Sequence, residues 1–154
     1  MAAPAGNQFW KLRSKHGRDK LFTEPEKLWE AACEYFQWCE DNPLKELDYR
    51  GKDATPVTLY KVRAFTMQGL CLFLDCNTKY FAQFKDGLRD KTDDLSKDFS
   101  AVITRIEETV YNQKFTGAAA GFLNANIIAR DLGLTDNKNV QVHTEQPLFP
   151  EDTP

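Results

Sequence analysis

Histidine is scarce in this sequence, and its cysteines are badly spaced for a metal. The 154 residues include only His16 and His143, and Cys33, Cys39, Cys71 and Cys76 form no C-x-x-C pair. A closed zinc site would have to draw ligands from scattered positions, which leaves reduced thiols in a cytosolic protein as the reading. There is no glycine-lysine phosphate loop, no G-x-S-x-G and no carboxylate set at nuclease spacing. Intrinsic catalysis is therefore not expected, and no cofactor or metal is implied. No apolar run reaches the ~20 residues of a membrane span, and residues 1–7 lack the apolar stretch of a signal peptide. What remains is 42% hydrophobic and 28% charged, an ordinary soluble composition long enough for one domain or two small ones.

The net charge of −3 conceals a partition. Residues 1–22 carry five Lys/Arg against one Asp (+4), residues 23–54 four against nine (−5), and residues 55–91 six against three (+3). Residues 92–133 come to −2 and 134–154 to −3. The total argues against a nucleic-acid binder, while the segregation leaves two basic stretches able to act as one. In the first, Lys11, Arg13, Lys15, Arg18 and Lys20 are interleaved with Phe9, Trp10 and Leu12. Such an arm can lie along phosphates while its aromatics dock it to its own protein; the alternative is a solubilising tail.

Thr23-Glu24-Pro25-Glu26 predicts a helix start, with Thr23 as cap, Glu26 completing a capping box and Pro25 in the first turn. Leu28, Ala31, Ala32, Tyr35, Trp38 and Cys39 follow at helical spacing, and Asn42-Pro43 ends the helix. Its acidic side (Glu30, Glu34, Glu40, Asp41) reads as a solvated face. Residues 44–60 predict a β-hairpin turning at Arg50-Gly51-Lys52-Asp53, with Pro56 confining the second arm to an edge or its first residues. Residues 66–88 then outline a helix-turn-helix. Thr66 caps a short helix with Leu70, Cys71, Phe73 and Leu74, Asp75 stands where a turn glycine is usual, and Asn77 caps a second helix with Phe81, Phe84 and Leu88 inward. Thr78, Lys79 and Gln83 would face outward with Lys85 at the flank, all able to reach base edges or phosphates.

Residues 96–134 read as two helices broken by glycine. Ser96 is the expected N-cap of the first, Phe99, Val102, Ile103, Ile106 and Val110 line one side, and Lys114 suits the far dipole end. Ten of the fifteen residues 118–132 are apolar, and Phe122, Leu123, Ile127, Ile128 and Leu132 cover two adjoining faces, which asks for more than one neighbour. Gly133 is the expected C′ residue. Either the hairpin is buried within one chain or it forms the core of an assembly. Gly117 and Gly121, each costing a helix about 1 kcal/mol against alanine, favour the assembly, because something should need the close approach they allow. In the tail, Val140, Val142 and Thr144 alternate, predicting one strand over 139–145 or a disordered end.

The stretches MAAPAGNQFWKLRSKHGR, EPEKLWEAACEYFQWCEDNPL, MQGLCLFLD and VYNQKFTGAAAGFLNANIIARDLGL together resemble the small terminase subunit, or DNA-packaging protein, of tailed double-stranded DNA bacteriophages of the short-tailed branch. The resemblance implies a non-enzymatic ring of about nine copies with closed cyclic symmetry. That ring recognises the packaging-initiation site on concatemeric viral DNA in the infected host's cytoplasm and is absent from the mature virion. It recruits the large terminase subunit and regulates its ATPase and nuclease.

The fold expected is mainly α. Residues 1–22 form a basic arm and 23–91 a helical region with a β-hairpin and a helix-turn-helix. Residues 92–134 form an oligomerising helical hairpin, and 135–154 a strand in a β-barrel shared between subunits, with tail. The resemblance implies a basic C-terminal extension that carries much of the DNA binding, whereas residues 135–154 here hold one Lys against four acidic residues. DNA binding therefore falls to the arm and the helix-turn-helix. A dimeric helix-turn-helix transcriptional regulator is the alternative.

Overall fold

The computed structural model describes residues 22–135. Five helices and one two-stranded antiparallel sheet follow in the order α1 (Pro25–Asp41), β1 (Leu44–Arg50), β2 (Thr55–Lys61), α2 (Met67–Phe73), α3 (Tyr80–Leu88), α4 (Asp94–Ala119) and α5 (Ala125–Asp131). The mainly helical class with one hairpin agrees with the sequence. The arm (residues 1–22), apart from Phe22, and the tail strand (139–145) lie outside the described residues.

The core is an aromatic layer between α1, α2, α3 and α4. Leu28, Ala32, Tyr35, Phe36, Trp38 and Cys39 of α1 are buried. Phe36 stacks on Phe65 at 4.7 Å between ring centroids, and Tyr35 lies 5.6 Å from Phe73. The Tyr35 hydroxyl accepts the Thr66 N–H at 3.2 Å, which fixes the start of α2 on α1. Burial pushes that phenol up to about 12. Gln113 of α4 clamps the incoming chain, accepting from the Phe65 N–H at 3.0 Å and donating to the Arg63 carbonyl at 3.2 Å. Arg105 of α4 sits over the Trp29 ring at 4.2 Å, a cation–π contact joining α4 to α1.

Several local expectations shift by one to three residues. The cap of α1 is Glu24, not Thr23, and no side chain completes a capping box; Pro25 at the first helical position sets the boundary. Asn42 ends the helix as expected, its side-chain amide donating to the Trp38 carbonyl at 2.9 Å. The cap of α4 is Asp93, not Ser96. The Asp93 carboxylate accepts the Ser96 N–H at 3.1 Å and the Ser96 hydroxyl at 2.8 Å, because a charged acceptor three residues upstream outcompetes the hydroxyl. Lys114 does more than meet a dipole: it is buried, its Nζ 2.6 Å from Asp131 Oδ2 of α5.

The largest correction concerns the glycine break. Helix α4 runs through Gly117 to Ala119, and the turn comes at Gly121, with φ +76°. Where a second helix was expected over 118–132, α5 has seven residues. A Cβ on Gly117 would stand 2.9 Å from the Leu123 side chain, so the close approach this glycine permits is used by the same chain folding back. Gly133, at φ +69°, follows α5 as expected.

Candidate nucleic-acid interface

The turn between α2 and α3 is built from local chemistry. Thr66 Oγ1 accepts the Gly69 N–H at 2.9 Å and starts α2, as its place before Met67 predicts. Asp75 adopts φ +57°, the left-handed conformation that a turn glycine would otherwise supply. The Cys76 N–H returns to the Cys71 carbonyl at 2.9 Å. Their thiols hydrogen-bond to each other, an arrangement that lowers Cys71 and, with burial and Asp75 nearby, pushes Cys76 far up. Burial beside the same thiols raises the Tyr80 phenol to about 12. Asn77 caps a turn rather than the helix: its side-chain oxygen accepts the Lys79 N–H at 2.8 Å and its carbonyl accepts the Tyr80 N–H at 2.8 Å. Helix α3 therefore begins at Tyr80, with Lys79 in the cap position.

Behind this surface, Phe81 and Leu88 are buried and Phe84 packs on Phe99 of α4, 5.1 Å between centroids. In front, Thr78, Lys79 and Gln83 are exposed. Lys79 and Gln83, four residues apart with the Gln83 N–H bonded to the Lys79 carbonyl at 2.9 Å, share one face. Lys85 is placed differently: it is half-buried with its Nζ 2.6 Å from Glu107 Oε2, docking α3 onto α4. Sequence reasoning passed over Lys91, exposed and lining a groove with Gln83 and Phe22, although it sits in the +3 stretch. Phe22, two residues past Lys20 in the sequence, lines the same groove; Lys11, Arg13, Lys15, Arg18 and Lys20 themselves lie outside the described range.

The residues expected to join copies divide into two groups. Phe99, Ile103, Ile106 and Val110 are buried within this one chain, and Val102 is half-buried against the same core. Ile128 is buried, and Leu123 and Leu132 are half-buried. Phe122 and Ile127 are open, at 68% and 64% exposure. Tyr111 and Phe115 near the end of α4, which sequence reading left aside, are also exposed and stack on each other with 6° between ring planes.

Among the described residues no group of three His, Cys, Asp or Glu stands ready for a metal, and no helix is long and apolar enough to cross a membrane. The exposed surface offers the Gln83 amide on α3, with Lys79 at the helix cap and Lys91 beyond its end. Residues 17–140 match the family described as DNA-packaging protein gp3. The chain is also 47% identical, over 144 residues, to the terminase small subunit of Salmonella phage P22, an alignment covering 92% of this chain and 83% of that one.

Proposed function

The chain belongs to the DNA-packaging family of phage small terminase subunits, and from that premise we propose that it is the non-catalytic subunit that grips viral DNA at the packaging-initiation site. Several copies in a ring act together, recruiting the large terminase subunit in the host cytoplasm and regulating its ATPase and nuclease. The observation that supports the reading is the position of Phe22 in a groove lined by Gln83 and Lys91 of the second basic stretch. Phe22, where the arm joins the body, lies in one groove with Gln83 and Lys91, so arm and α3 can address the same duplex. A few phosphate contacts per chain are weak, and a ring multiplies them. The exposed apolar set Tyr111, Phe115, Phe122 and Ile127 supports contact between copies through the end of α4 and α5.

A mobility-shift titration over a salt series tests the reading. The slope of log affinity against log salt flattens by about 0.9 for every phosphate the protein no longer neutralises. Deleting residues 1–21 should weaken binding and flatten that slope, and Lys79→Ala should do so by a smaller amount. Unchanged affinity and slope in both would refute arm and α3 as the DNA-binding surface.

A further inference from the structure

Between α3 and the start of α4 lies an open groove of about 680 Å³, walled by Phe22, Tyr80, Phe84, Leu88, Leu95 and Phe99. Pockets that take a defined ligand run to ~300–1,000 Å³. Leu95 is 52% exposed here, an apolar side chain only half covered among the described residues. Gly87 of α3 lines the same groove, and a Cβ on it would meet nothing within 4 Å.

We propose that this groove seats Phe9 and Trp10 of the same chain's N-terminal segment. Three observations identify that occupant. The segment ends at the groove, since Phe22 is one of its walls, and eleven residues separate Trp10 from Phe22. At ~3.3–3.6 Å per extended residue they reach any part of it. The wall is aromatic, with Tyr80 5.7 Å from Phe84 and Phe84 5.1 Å from Phe99, and offers ring edges and faces to an indole. The charges are complementary: residues 86–98, which frame one side, hold five Asp against three Lys/Arg, while residues 11–20 hold five Lys/Arg against one Asp. Seated there, the arm starts beside Gln83 with its cations held close to α3. The seat is a property of the folded chain and needs no DNA.

Photo-crosslinking of the full-length chain tests it. With p-benzoylphenylalanine in place of Trp10, irradiation and peptide mapping should find the label mainly on residues 80–99 of the same chain. Leu95→Glu should cut that yield about tenfold, because an unpaired carboxylate against the aromatic anchor costs at least that factor. Leu72→Glu, which replaces a leucine equally exposed on α2 and absent from the groove wall, should leave the yield unchanged. Labels on other segments, a covalent dimer on a denaturing gel (a second copy's groove as the seat), or no adduct above background would each overturn the proposal. So would Leu95→Glu behaving like Leu72→Glu.

Discussion

The two ends of α4 carry similar side chains in opposite surroundings. Phe99, Ile103, Ile106 and Val110 are 0–5% exposed, whereas Tyr111 and Phe115, with Phe122 and Ile127 past the turn, are 46–68% exposed. As far as Val110 the helix packs under α1 and α3; beyond it, the described residues offer the clamp from Gln113 to Phe65 and Arg63 and the seven residues of α5. A 26-residue helix is about 39 Å long at ~1.5 Å per residue, and the other elements among the described residues leave its far end open. Burial at the near end is thus an account of how one chain folds. Exposure at the far end is the surface on which an account of assembly must rest.

Ile103→Ala sharpens that contrast most. It should cost about 2–5 kcal/mol in a denaturant melt, the usual range for a large-to-small change at a fully buried aliphatic site. Phe122→Ser, removing a larger side chain at the far end, should cost a dissociated chain no more than about 0.5 kcal/mol. Equal losses in the two would dissolve the comparison. Gln113→Leu comes next. It leaves the Phe65 N–H and the Arg63 carbonyl without their partner and should cost about 1–3 kcal/mol.

The smallest effect is expected at the cap of α4. Ser96 holds the Asp93 carboxyl below its ordinary value of 3.8. The stabilisation is complete above that value and is lost as pH falls through the lower value of the folded chain. Asp93→Ala should therefore lower Tm at neutral pH, and the gap from the native chain should close in acid. A gap that persists at low pH would contradict the capping role.

Sequence made legible whatever was decided within a few residues. Thr66 before Met67, Asp75 in the turn, the hairpin about residues 51–54 and the stop at Asn42-Pro43 all follow from local chemistry. It misled where neighbours offered equivalent chemistry, as Asp93 and Ser96 did for one cap. The break in the long helix was misplaced for a related reason. Gly117 and Gly121 look alike in a string, but one admits a packed leucine and the other bends the backbone. Contacts across the fold left no trace in local pattern. Gln113 reaches back about fifty residues to Arg63 and Phe65, and Lys85 meets Glu107 twenty-two residues away. Of the candidate interface, the exposure of Thr78, Lys79 and Gln83 was readable from helical spacing, while the engagement of Lys85 was not.

The most direct measurement is light scattering after size exclusion, at micromolar concentration, on the native chain and on Phe122→Asp/Ile127→Asp. The account predicts a closed particle of many copies for the native chain, and for the variant a smaller species that keeps its helical circular dichroism. A native chain that elutes as a folded single molecule, or a variant whose particle is undiminished, would contradict it.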